Sequence, residues 1–146
     1  MQQLNRIPLA LLLLLVMVSA ACRGDKPADT TGTTATEVKV TDVKLGRAIG
    51  GDKAVTDETD DFRPNDTIYA SVVTEGTAAS TSLRARWTFG DGQVVDEATR
   101  TIAPSGRETT EFHISKPDGW PLGNYQVEIF VDGKSAETKR FEVKGS

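Results

Sequence analysis

The chain predicts an all-β domain, an antiparallel β-sandwich of about seven strands, on three observations. Apolar residues alternate with polar ones at a period of two. Clusters of Gly, Pro and Asp separate these runs. No segment carries the 3.6-residue apolar period of an amphipathic helix.

Val38 and Val40, then Val43 and Leu45, open the pattern, and Ile68, Ala70 and Val72 follow. Leu83, Ala85, Trp87 and Phe89 are expected to face the core while Arg84, Arg86 and Thr88 face water, because successive strand side chains point to opposite faces. Phe112 and Ile114 alternate with Glu111, His113 and Ser115. Tyr125, Val127, Ile129 and Val131 alternate with Gln126, Glu128, Phe130 and Asp132. Phe141 and Val143 flank Glu142 in the last strand. Gly90-Asp91-Gly92, Pro104-Ser105-Gly106 and Pro117-Asp118-Gly119 supply turns. Asp132-Gly133 predicts a tight hairpin, since such turns need positive φ angles. A buried Trp on the third strand and a Tyr entering the sixth, Trp87 and Tyr125, fit a sandwich of the immunoglobulin-like kind. The inter-sheet cysteine pair of many such domains is absent, because Cys22 is the only cysteine.

Cys22 stands directly after an export leader. Met1 to Arg6 carries one positive charge, Ile7 to Val18 is apolar, and Ser19, Ala20 and Ala21 are small. The apolar stretch is shorter than the roughly 20 residues a spanning helix needs. The run Val18-Ser19-Ala20-Ala21-Cys22 resembles the lipobox of bacterial lipoproteins. That resemblance implies a signal peptide over residues 1–21, removed by cleavage, and acyl chains of the palmitate type on Cys22. Ser19 departs from the aliphatic residue usual at its place. Two or more acyl chains anchor stably where one does not. Arg23, in place of the Asp that retains such proteins in the inner membrane, favours the outer membrane. Residues 22–36 read as the lipidated Cys and a disordered tether, all small, polar or charged, with a typical reach of about 20 Å. Residues 37–146 are the expected domain, of a size to fold on one apolar core.

Seventeen Lys and Arg stand against 21 Asp and Glu, a formal net charge of −4. Loss of the leader, whose one charge is Arg6, makes it one unit more negative. This excludes a nucleic-acid partner read through a basic face. It leaves membrane attachment to the lipid on Cys22.

Trp87-Thr88-Phe89-Gly90-Asp91-Gly92 resembles the W-D-F-G-D-G signature of PKD domains, which are extracellular immunoglobulin-like modules. Thr88 replaces the family's Asp, and its later His-x-Tyr is missing, so the likeness supports fold and not membership. A longer resemblance runs through Phe62 to Tyr69, the stretch from Trp87 to Gln93, Thr110 to His113, and Pro117 to Tyr125. It is to a family of small proteobacterial lipoproteins with one immunoglobulin-like domain. It implies location and fold, and no activity.

No nucleophile elbow, phosphate loop or metal-spaced cluster occurs, and no catalytic residue or cofactor is expected. His113 is the only histidine and points outward by alternation. Asp52, Asp57, Glu58, Asp60, Asp61 and Asp66 crowd one connection, and Asp57, Asp60 and Asp61 are weak calcium candidates against the reading of solvated loop acids. Trp120, in Gly-Trp-Pro-Leu-Gly-Asn-Tyr, is expected to plug one end of the sandwich, with stacking on a sugar ring as the alternative. Phe130 points away from the core and marks either a contact surface or a cover for the edge of the core. The expected function is a non-catalytic, membrane-anchored envelope lipoprotein whose sandwich contacts another envelope protein. The alternative is a PKD-like module binding glycan or peptidoglycan, which needs Trp120 or Tyr125 accessible.

Overall fold

A computed structural model describes residues 34–145, which form eight β-strands and no helix. The leader, Cys22 and residues 22–33 of the tether lie outside the described residues. The strands are β1 (Thr36–Gly46), β2 (Asp61–Phe62), β3 (Ile68–Thr77), β4 (Thr81–Phe89), β5 (Gln93–Ile102), β6 (Glu108–Ile114), β7 (Gly123–Val131) and β8 (Lys134–Val143). The first strand begins one residue before the boundary expected at 37.

The strands make two sheets, ordered β1-β3-β6 and β2-β8-β7-β4-β5. Every pairing is antiparallel except the short β2–β8 contact. The inner faces of the two sheets enclose the core, so the chain is an immunoglobulin-like sandwich. Ile68, Ala70, Val72, Leu83, Ala85, Trp87, Val127 and Ile129 have no solvent contact. Trp87 on β4 packs edge-on against Phe141 at 5.9 Å.

Three features differ from the sequence expectation of about seven strands. The runs Val38/Val40 and Val43/Leu45 belong to one strand, β1. A register shift between Val40 and Asp42 inserts a residue, so the inward positions change from even to odd. The minimal strand β2 lets the connection after β1 cross to the second sheet, where Lys144 N–H donates to Phe62 O at 2.8 Å. Strand β5 was not marked by alternation because nine of its ten residues keep solvent contact on both faces, with only Ile102 buried.

The β7–β8 connection is the expected two-residue hairpin: Asp132 has φ 47° and Gly133 φ 83°. The Asp132 carboxylate also accepts the Ser82 N–H at 2.8 Å, tying this hairpin to the start of β4.

Candidate functional site

At one end of the sandwich, the connection 115–122 folds over the start of β7. Trp120 is buried, at 7% exposure. Its backbone N–H donates to Pro64 O at 2.7 Å and its indole N–H to Asp66 O at 3.3 Å. Tyr125 is buried too, stacked on Phe141 at 5.3 Å, with Trp120 edge-on at 6.2 Å. Its hydroxyl donates to Pro121 O at 2.7 Å, four residues upstream. This is the tyrosine corner of immunoglobulin-like sandwiches. Burial raises the Tyr125 phenol above its ordinary value. Both aromatics therefore pack into the core and keep little exposed ring surface, although both border a groove at the start of β5.

The acidic connection is held by cations. Arg47 reaches Asp66 at 2.9 Å and Asp57 at 3.6 Å, and donates to Asp61 O at 2.7 Å. Asp61 pairs with Lys144 at 2.7 Å, and Glu58 with Lys44 at 3.0 Å. These carboxylates hold the cations protonated, raising Arg47 through Asp66 and Lys144 through Asp61. Asp57, Asp60 and Asp61 do not converge: no group of three or more His, Cys, Asp or Glu placed to hold a metal occurs among the described residues. Asp60 lends its backbone carbonyl to Glu142 N–H at 2.8 Å.

Phe130 lies on the outer face, as alternation expects, yet is 8% exposed. The guanidinium groups of Arg84 and Arg86 cover its ring at 4.2 and 5.1 Å from the centroid. Glu97 on β5 anchors both arginines, at 3.7 Å to Arg84 and 2.8 Å to Arg86. The hydrogen bond from Arg86, then the charge of Arg84, holds its carboxyl below the usual range. Phe130 is thus shielded by the two arginines on the outer face and lies outside the buried core cluster. His113 sits outward on β6, half-exposed, against Tyr69 and Glu111.

The open surface includes a strand edge that the sequence pattern does not mark. Among the described residues, strand β5 is hydrogen-bonded to β4 alone, so its other edge has no strand partner there. Beside its first residues is a groove of about 330 Å³, whose lining includes Phe89, Val94, Val95, Lys116, Trp120 and Tyr125. Val94 and Leu122 are the exposed large apolar residues of the described chain. A larger cleft of about 600 Å³ opens at the opposite end, between the starts of β1 and β8, with Val38, Val40, Glu37, Lys39 and Lys134 on its walls. The signal for β5 was its β-branched content, Val94, Val95, Thr99, Thr101 and Ile102.

No protein-family model and no curated protein matches this chain. Among solved structures it is similar to a cycloisomaltooligosaccharide glucanotransferase of Paenibacillus sp. complexed with cycloisomaltoheptaose, at 16% identity and TM-score 0.54. That match covers 75% of this chain and only 14% of the glucanotransferase. It is also similar to the CARDB domain of a Pyrococcus furiosus protein, solved with di-metal ions, at 15% identity and TM-score 0.47 over 77% of this chain and 90% of that one. An immunoglobulin-like protein of Pseudomonas aeruginosa matches at 13% identity and TM-score 0.48, covering 74% of this chain and 97% of its own. At these identities the likeness is one of fold.

Proposed function

We propose that this chain is a non-catalytic, lipid-anchored envelope protein whose β-sandwich is a protein-interaction module. The observation that carries the reading is the free edge of β5, ten residues long and paired on one side only. Strand edges bind proteins by main-chain pairing, with affinity from the backbone ladder and selectivity from side chains. The residues that offered other chemistry have structural work instead. Trp120 and Tyr125 close one end, Arg47 and Lys144 hold the loop acids, and Arg84 and Arg86 cover Phe130. The anchor reading rests on the leader and Cys22, with the outer membrane favoured by Arg23.

A photo-reactive amino acid at Thr99, on the β5 edge, tests the interaction in native envelopes, with Lys39 on β1 as the control position. A defined protein adduct from Thr99 and none from Lys39 is expected. Equal adducts from both positions, or none from Thr99, would remove β5 as the contact. Labelling with a palmitate analogue tests the anchor separately: the wild-type chain takes the label and Cys22→Ser does not. A labelled Cys22→Ser protein would defeat the lipid assignment.

A further inference from the structure

The geometry points to a second copy of this chain as the occupant of the β5 edge. We infer that two copies pair β5 antiparallel about a two-fold axis through Ala98, which joins their five-stranded sheets into one. This deepens the interaction reading above and rests on it.

The remaining sheet edges are guarded. On β6, the Glu111 carbonyl accepts from Arg100 Nε at 3.1 Å. Strand β1 is bulged twice, and its far end is bridged to the acidic connection at Gly46 and Glu58. The exposed stretch of β8 carries Lys134, Lys139 and Arg140, and β2 covers its end. Bulges, lysines and covering segments are the usual defences of a strand edge. Strand β5 has no lysine and no proline, and its one bulge falls at Val94–Val95, leaving Asp96 to Ile102 regular.

Symmetry then fixes the register. A two-fold axis that makes one strand antiparallel to its own copy stands perpendicular to the sheet. Facing residues share a sheet face, so the axis must pass through a residue that faces itself. Asp96, Ala98 and Arg100 share the inner face of β5, opposite Trp87, Ala85 and Leu83, whereas Glu97 and Thr99 share the outer face. An axis through Glu97 sets two carboxylates against each other. An axis through Thr99 sets Asp96 against Ile102. An axis through Ala98 sets Asp96 of each copy against Arg100 of the other, twice over, with Glu97 facing Thr99. Opposite charges stabilise a facing pair and like charges oppose it. Ala98, exposed and small, adds no bulk at the axis.

The charged groups have capacity for this exchange. Arg100 uses Nε on Glu111 O, which leaves both terminal nitrogens free. Asp96 has one oxygen on the N–H of Glu97 at 2.7 Å. In the paired state that N–H can join the new ladder, which frees the whole carboxylate for the arginine across the axis.

The full chain carrying Cys22→Ser has no thiol, so single cysteines report the register. Ala98→Cys is expected to form a disulfide dimer under mild oxidation, because facing Cα atoms lie about 4.5–5.5 Å apart. Thr101→Cys is expected not to, since its two copies would be offset by six residues, about 20 Å. In sedimentation, Asp96→Arg and Arg100→Asp each weaken dimerisation about tenfold, and the double swap D96R/R100D restores it. Equal yields from both cysteines, or a double swap no better than the singles, would overturn the register. A chain monomeric at every concentration would overturn self-pairing. In that case a Thr99 adduct with a different protein still upholds the interaction module, and no adduct at all removes both.

Discussion

Replacing Tyr125 with Phe deletes one hydrogen bond and leaves every ring contact of the tyrosine corner in place. The lost bond is the 2.7 Å contact to Pro121 O. A net intramolecular hydrogen bond is worth about 1 kcal/mol. Pro121 is exposed, so water can reach its carbonyl and the larger penalty of a buried orphan does not apply. The expected loss is about 1 kcal/mol, or about 4–8 °C in Tm for a domain of this size. Tyr125→Ala also removes the stack on Phe141 at 5.3 Å and the contact with Phe89 at 4.6 Å, and should cost about 3–5 kcal/mol. Urea unfolding followed by tryptophan fluorescence measures both, since Trp87 and Trp120 are buried reporters. A Tyr125→Phe loss equal to the alanine loss would refute the view that the ring carries the stability. A loss within error of zero would refute the hydroxyl's role in holding the 121–125 corner.

The same phenol sets a pH limit. Burial raises its folded-state value above 10, so the folded chain keeps its proton where the unfolded chain loses it. Stability is fully present below pH 10 and falls as pH rises above it; a urea midpoint unchanged between pH 9 and 11 would contradict this. Asp132→Ala should cost about 1–2 kcal/mol, since it loses the bond to Ser82 N–H and keeps a φ of 47° that alanine disfavours. Asp132→Gly recovers the backbone part alone and should fall between wild type and alanine in thermal unfolding. Gly76→Ala is expected to be more disruptive, because its φ is 138° and a Cβ would stand 2.5 Å from Glu37 O, so circular dichroism should show a large drop in Tm.

The buried strands were legible because each has one face in the core. The alternation of Leu83, Ala85 and Trp87, and of Tyr125, Val127 and Ile129, is the direct imprint of that burial. The Asp132-Gly133 hairpin was legible because few sequences tolerate two consecutive positive φ angles. Strand β5 was not, since an edge strand exposed on both faces has no reason to alternate. The β1 bulge split one strand into two apparent ones for the same reason: the apolar period follows the face, and the face shifts at the extra residue. At the candidate site, Trp120 fell to the core role expected of it. The part of the surface that remains open was hidden, because a free backbone edge is a property of sheet order, which no local pattern encodes. Phe130 is set by alternation on the face away from Tyr125, Val127 and Ile129. Its covering depended on Arg84, Arg86 and Glu97 meeting across three strands, a register effect that alternation alone does not reveal.

Amide hydrogen exchange of the native chain, compared between purified dilute protein and intact envelopes, tests the central claim that β5 is the contact edge. The account predicts rapid exchange at Glu97 and Thr99 in dilute solution, slow exchange in β4 and β7, and protection gained in envelopes within β5. Exchange in β5 that is identical in both settings, with protection appearing instead over 115–122 or on β1, would contradict it.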